Sequence, residues 1–334
     1  MKKFALCIKT PMTYNAGSKA VIDATNIAID TGYEKMFYAF HIPILLKYRW
    51  LQPLNKLVNL LLCIYSSYRV SNSNMYFIQW PSPGKSTKIL LKALIRKHAI
   101  IKILIHDLND LRGIIYPEDE EIMYALFNAA ETIIVHTDSM KNYLISKGVD
   151  ANKLSVLYTF DYLTEDNVPE RYLSKKVAFA GNLSKSTFLR SINYNDRDLF
   201  FYCYGANYSN NYSGIVYKGK FLPDNVSQIE GSWGLVWDGN STNSCTGEFG
   251  EYLKYNSPHK VSLYIVAELP IIIWKEQALA NYVVERNIGI VISSIAEIPD
   301  KLSEISEAMY IEMRNNIKKE ANILKKGNNL KRFI

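Results

Sequence analysis

Acidic residues are nearly missing from the first third of this chain. Residues 1–106 hold 15 Lys and Arg against three acids (Asp23, Asp30 and Glu34), a net of +12. Residues 107–160 reverse the sign with four basic and nine acidic groups, and residues 161–334 hold 20 of each. The overall +7 therefore describes no single region. A basic block confined to one part of a globular chain points to an anionic partner on that side.

Cysteine is scarce as well. Cys7, Cys63, Cys203 and Cys245 stand far apart with no CxxC pair. That excludes a disulfide framework or a zinc knuckle and fits a reducing cytoplasm. No apolar run reaches the ~18–20 residues of a membrane helix. The nearest approach, Leu57 to Tyr65, contains Asn59. The first apolar run is cut by Lys9, too early for a signal-peptide core. Internal repeats, low-complexity tracts, GxSxG and His/Cys clusters with metal spacing are all lacking. What remains is 334 residues with 48% hydrophobic and 21% charged content. Such a chain folds, and its length suits two domains better than one core.

Apolar runs alternate with helical periodicity along its whole length. Phe4–Ile8, Met36–Ile42, Met75–Gln79, Ile100–Ile105 and Thr132–Val135 read as strands. Helices lie between them, one capped by Ser18 and another spanning Leu54–Tyr68 with a broad apolar face. The β-branched run Ile100–Ile105 has the character of a strand buried on both faces of a parallel sheet. A second series follows: strands at Lys176–Ala180, Leu199–Tyr204, Val216, Gly234–Trp237 and Pro270–Trp274, and helices at Pro223–Ile229, Pro258–Ala267, Gln277–Arg286 and Met309–Lys325. The polar stretch Asp161–Ser174 reads as the break between them. The fold class is α/β, with two doubly wound Rossmann-like domains. Ligands of such sheets sit beyond the carboxyl ends of the strands, which predicts a cleft between two facing domains.

Those strand ends carry the candidate chemistry. The loop Thr10–Lys19, with Thr13, Asn15, Gly17 and Ser18, opens a helix and fits either an anion site or an ordinary capped turn. It is not GxGxxG, so it gives a dinucleotide dehydrogenase little support. His106 and Asp107 follow the buried strand, with Asp110 and Arg112 one turn on. An Asp there suits a general base, or else caps the next segment. Gly181, Asn182 and Lys185 offer a tight turn and a cation suited to phosphate. Asp238 follows Trp237 at another strand end and suits a hydroxyl-rich ligand. Asn256-Ser257-Pro258-His259-Lys260 describes a helix N-terminus aimed at an anion, because a first-turn Lys opposes the helix dipole unless an anion offsets it. Asp196-Arg197-Asp198 is a DxD that reads chiefly as a solvated turn and secondarily as a metal pair. His41, His98 and His136 are isolated and read as structural.

The stretch Gly234–Gly289, with GLVWDGNSTNSC and NSPHKVSLYIVAELPIIIW, resembles the C-terminal domain of bacterial β-1,6-galactofuranosyltransferases of O-antigen and capsule synthesis. IHDLNDLRG (Ile105–Gly113), FDYL (Phe160–Leu163) and AGNLSK (Ala180–Lys185) resemble that family too. A more distant likeness is to glucosyltransferases that extend GlcNAc on serine-rich adhesins.

The resemblance implies a GT-B fold: an acceptor domain over residues 1–160, a nucleotide-sugar domain over 161–310, and a C-terminal helix over 311–334 packing back toward the first. It implies a UDP-sugar donor, inversion at the donor carbon, and no metal or cofactor. By position, Asn182 and Lys185 would meet the diphosphate, and Tyr204 and Gly205 would lie beside the uracil. His259 and Lys260 would bind the diphosphate at the helix start, with Ser262 nearby, and Asp238 would lie near the donor sugar. Many retaining GT-B enzymes carry a ribose-binding Glu seven residues before the Pro of the last strand; here that position is Leu263. The acceptor implied is an oligosaccharide on polyprenyl diphosphate. That places the protein in the cytoplasm, peripheral on the inner membrane face, and leaves room for a homo-oligomer. The basic first domain then has a use. Leu45–Arg69, with Lys47, Arg49, Lys56 and Arg69 beside leucines, reads either as a segment lying on an anionic membrane or as a core-packed helix. A nucleic-acid partner lacks support, since no zinc finger, RNP motif or KH-type loop is present. A non-catalytic sugar-nucleotide binder is the other rival.

Overall fold

A computed structural model describes residues 1–9, 16–82, 84–113, 117–192, 199–208 and 214–334. The chain divides into two compact units. The first is Val21–Leu157 with the first strand and the closing residues Leu330–Ile334. The second is Tyr158–Asn329 with the start of the first helix, up to Ala20.

The first unit is built on strands β1 (Lys3–Lys9), β2 (Glu34–Phe40), β3 (Met75–Trp80), β4 (Ile100–Ile105), β5 (Thr132–Val135) and β6 (Leu154–Val156). They form one sheet in the order β2-β1-β3-β4-β5-β6, and every pairing is parallel. Parallel strands covered on both faces favour continuous apolar runs. Accordingly Ile101, Ile103, Leu104 and Ile105 of β4 are all buried. The lysine within that run, Lys102, donates to the Phe333 carbonyl at 2.9 Å.

At the sheet's edge the helix Gln52–Arg69 packs against β2. Its buried face is polar. Asn55 and Asn59 Oδ1 accept from the Ile42 and Phe40 N–H groups at 3.2 and 2.8 Å. Cys63 Sγ and Ser66 Oγ donate to the Tyr38 and Phe37 carbonyls, each at 3.3 Å. An edge strand presents unpaired backbone groups, and these side chains engage backbone groups of this one. Leu54, Leu57 and Leu61 consequently face away from the core.

The second unit is built on β7 (Lys176–Ala180), β8 (Phe200–Tyr204), β9 (Ile215–Gly219), β10 (Trp233–Val236), β11 (Ile271–Trp274) and β12 (Gly289–Ile292). Their order is β12-β11-β10-β7-β8-β9, again all parallel. Alternating side chains fill two cores. Ile271 and Ile273 of β11 join Ala178, Ala180 and Val236 on one face. Ile272 and Trp274 join Val177, Phe179, Leu235 and Trp237 on the other. This is the strand period of two. The helix His259–Val266 is buried throughout Val261–Val266 and packs Tyr264 against the sheet. A Cβ at Gly234 would stand 2.3 Å from the Tyr264 ring, so only glycine lets the helix approach β10 that closely.

Each sheet has one strand more than the sequence pattern predicts, β6 and β12, each the last strand of its sheet in chain order and each at an edge. β6 has three residues and β12 four, too few to display a period. The segment expected as a helix at Pro223–Ile229 is a single 3₁₀ turn, Val226–Gln228. Ser18 lies within the first helix, Ala16–Asp30, instead of capping it. The long helix Glu307–Leu324 packs into the second unit through Ile317, Ala321 and Leu324, while only Leu330–Ile334 group with the first. Asp161–Ser174 is anchored within the second unit: Tyr162 Oη donates to the Pro223 carbonyl at 2.6 Å, and Asp166 accepts from the Ser227 N–H at 2.7 Å. Among the described residues no helix is long and apolar enough to cross a membrane.

Candidate functional site

In the second unit the carboxyl ends of β7, β8 and β10 meet the start of the helix His259–Val266. Gly181 and Gly205 follow β7 and β8, and the two backbone segments touch there. A Cβ at Gly205 would lie 1.8 Å from the Gly181 carbonyl oxygen, and Gly205 has φ +137°. Both features require glycine. The Gly181 N–H donates to Tyr204 and the Gly205 N–H to Gly219.

Lys260 is the charged centre of this region. Pro258 stands at the N-cap rather than in the first turn, which leaves His259 and Lys260 as the first two helical residues. Lys260 Nζ donates to the Trp237 carbonyl at 2.8 Å and to Asp238 Oδ2 at 3.1 Å, and lies 4.4 Å from the centre of the Phe179 ring. Its Cε is 3.8 Å from where a Gly181 Cβ would be, so the ammonium group bridges the ends of β7 and β10. A cation and a helix N-terminus here combine into one positive locus, with Asp238 as its counter-charge.

Asn182 is exposed beside it. Its Oδ1 accepts from Ser184 N and Oγ and from Asn207 Nδ2, which fixes the turn after β7. Lys185 lies over the Phe249 ring at 4.4 Å. Tyr204, by contrast, turns its ring into the core. It packs edge-on against Phe221, its hydroxyl accepts from the Glu230 N–H at 2.8 Å, and burial pushes the phenol up to about 12. The Tyr204 side chain is therefore part of the core, and only its backbone reaches the strand end beside Gly205. Ser262 is fully buried one turn into the helix, away from its mouth, and its Oγ has no hydrogen-bond partner among the described residues.

The FDYL segment supports this site, and its contacts were not legible in the sequence. Phe160 and Tyr162 bring their rings to 5.6 and 5.3 Å from that of His259. Between them Asp161 is buried and accepts from the Asn329 N–H at 3.0 Å. Lys19, buried in the first helix, donates to the Leu163 carbonyl at 2.6 Å, pairs with Asp224 at 2.7 Å and lies 4.8 Å from the Tyr162 ring centre. Alternating aromatic and polar residues were the only local signal; the partners are 61 to 168 positions away.

In the first unit, His106 and Asp107 stand directly after β4. His106 Nε2 and Gln79 Oε1 are 2.7 Å apart, and the Gln79 amide nitrogen donates to Thr25 Oγ1 at 2.9 Å. With the amide in that orientation, its oxygen is the atom turned to His106 Nε2. Asp107 is half exposed and pairs loosely with Arg112 at 3.7 Å. Asp110 is held differently: its Oδ2 accepts from the Tyr124 and Tyr143 hydroxyls at 3.1 and 3.0 Å. Burial, then the nearby Asp110 carboxylate, pushes both phenols up. His136 is fully buried with Nε2 2.8 Å from the Ile105 carbonyl, and desolvation lowers it to about 4, as a structural histidine requires. Gly17 and Ser18 lie in the first turn of the helix Ala16–Asp30, whereas Thr13, Asn15 and the DxD at 196–198 fall outside the described residues. Among the described residues no group of three or more His, Cys, Asp or Glu is arranged to hold a metal ion.

Comparison with known proteins adds an independent line. Models of the glucosyltransferase 3-like N-terminal and C-terminal domains match residues 4–158 and 177–334. The β-1,6-galactofuranosyltransferase WbbI of Escherichia coli K12 is 35% identical over 239 residues, covering 68% of each chain. Glucosyltransferase 3 of Streptococcus gordonii is 24% identical over 255 residues, covering 74% of this chain and 75% of that one. Among solved structures, Anabaena HepE in complex with UDP superposes with a TM-score of 0.61 at 12% identity, covering 99% of this chain and 98% of that one. Structural likeness of this kind shows the fold, which is GT-B.

Proposed function

The chain belongs to the glucosyltransferase 3-like family and is a glycosyltransferase, and from that premise we propose that it transfers galactofuranose from UDP-galactofuranose to a sugar hydroxyl, forming a β-1,6 linkage with inversion. The observation that carries this reading is the 35% identity to WbbI over 68% of both chains. The Lys260 locus gives it chemical support. The donor diphosphate is placed against Lys260 and the N-terminus of the helix His259–Val266, with Asn182 and Lys185 beside it. Asp238 releases Lys260 toward the diphosphate and faces the donor sugar. The acceptor is an oligosaccharide on polyprenyl diphosphate of the kind used for O-antigen or capsule, which sets the reaction at the inner face of the cytoplasmic membrane.

The acceptor hydroxyl attacks the anomeric carbon as the bond to the diphosphate oxygen breaks, and UDP leaves with the bonding electrons. Lys260, Lys185 and the helix N-terminus stabilise the charge developing on UDP. The hydroxyl proton passes to a carboxylate. Asp107 is the better base than Asp110, because both tyrosine hydroxyls already occupy one Asp110 oxygen, whereas Asp107 is half exposed. His106, fixed by Gln79, orients the same loop.

UDP-glucose is the second donor to weigh, favoured by the 24% identity to glucosyltransferase 3. Turnover measured as UDP release and product mass with UDP-galactofuranose and UDP-glucose decides between them. Product from UDP-galactofuranose alone supports the proposal, and product from UDP-glucose alone overturns it. UDP binding with turnover of neither, on a galactose- or glucose-terminated acceptor, identifies a binding protein. Replacing Asp107 by Asn cuts turnover ~10²–10⁴-fold while UDP binding persists; near-normal turnover removes Asp107 from the role of base.

A further inference from the structure

We infer that the outer face of the helix Gln52–Arg69, with the turn before it, is a docking surface for an anionic phospholipid bilayer. The inference rests on the lipid-linked acceptor only for its purpose; the surface itself is argued from the first unit alone. Leu54, Leu57, Leu61, Tyr65 and Tyr68 recur at three- and four-residue steps and form one stripe along the helix. All are exposed, from 48% at Leu54 to 81% at Tyr68. Trp50, 76% exposed, continues the stripe into the preceding turn. A surface helix of a globular protein ordinarily points such a stripe inward. This one is inverted, because Asn55, Asn59, Cys63 and Ser66 on the opposite face bond to the backbone of β2 and the residues after it. Leu54, Leu57 and Leu61 are therefore left without a covering element among the described residues.

Charge and residue type select the occupant. Between Glu34 and Asp107 the chain contains no acid, while Lys47, Arg49, Lys56 and Arg69 are exposed on or beside this helix. Pairing of two copies through this face would set Lys47, Arg49, Lys56 and Arg69 of one against those of the other, a like-charge contact. An anionic bilayer satisfies both features: its headgroups meet the Lys and Arg, and the shallow acyl boundary takes the leucines. Trp50, Tyr48, Tyr65 and Tyr68 are the aromatic types that favour that boundary. No spanning segment is needed, in line with the absence of a membrane-length apolar helix among the described residues.

The test is flotation of the full chain with vesicles of phosphatidylcholine alone and with added phosphatidylglycerol, without any sugar substrate. Binding to the phosphatidylglycerol vesicles, weakened by salt, is expected. Lys47→Gln should lower the partition about fivefold. The double substitution Leu57→Glu and Leu61→Glu should lower it more than tenfold, with the unfolding midpoint and UDP binding unchanged. No binding to anionic vesicles overturns the inference. So does equal binding by the double variant. A stable wild-type dimer that dissociates in the double variant and ignores vesicles also overturns it, assigning the face to a second copy. Because no donor is present, failure here leaves the turnover result separate.

Discussion

Two helices of this protein invert each other's logic. His259–Val266 buries every residue from Val261 to Val266 and exposes only its mouth. Gln52–Arg69 buries asparagine, cysteine and serine and exposes Leu54, Leu57 and Leu61. The first lies over the middle of a sheet, where strands already satisfy one another's backbone and the helix has only apolar surface to cover. The second lies at a sheet edge, where backbone groups of β2 and its continuation take side-chain partners. Which face of an amphipathic helix turns inward is thus set by what the neighbouring strand lacks. It also leaves two different surfaces: the buried helix ends on the Lys260–Asp238 pair, and the edge helix leaves an apolar stripe exposed.

Substitutions can break that contrast, and chemical denaturation of each variant reads the result. Ile265→Ala in the central helix should cost about 2–5 kcal/mol, the range for deleting a fully buried branched side chain. Asn59→Ala in the edge helix should cost about 1–3 kcal/mol, because the Phe40 N–H loses its acceptor. Leu61→Gln should change stability by no more than about 0.5 kcal/mol, as its side chain is 57% exposed. In an ordinary amphipathic helix the last two would change places. If Leu61→Gln destabilises more than Asn59→Ala, the leucine stripe has a covering partner and the inversion is wrong.

Sequence pattern revealed most of the fold, because β-branched runs such as Ile100–Ile105 and Ile271–Trp274 admit little else. It did not reveal β6 or β12, which are too short to display a period. Leu45–Arg69 allowed two orientations, since periodicity gives the width of an apolar face but not its direction. That direction depended on Asn55 and Asn59 meeting backbone at Ile42 and Phe40, a tertiary fact. At the site, Lys260 was legible from a local conflict, a cation in the first turn of a helix. Its pairing with Asp238 and the Trp237 carbonyl was not, being 22 and 23 residues distant. Tyr204 was placed correctly at a strand end, but its ring goes to the core, because alternation along β8 sends alternate side chains to opposite faces. The FDYL segment was visible in the sequence, but the seating of His259 beside Phe160 and Tyr162, and the anchoring of that segment by Lys19, arise from contacts across more than 95 residues that the local pattern does not specify.

The central claim is that Lys260 and its helix start hold the diphosphate of the donor. Its most direct test is UDP titration by calorimetry of the wild type and of Lys260→Gln, whose amide can still donate to the Trp237 carbonyl. Loss of a charged hydrogen bond, worth about 1.5–3 kcal/mol, predicts a 10- to 100-fold weaker Kd. UDP affinity equal to that of the wild type in Lys260→Gln would contradict the account.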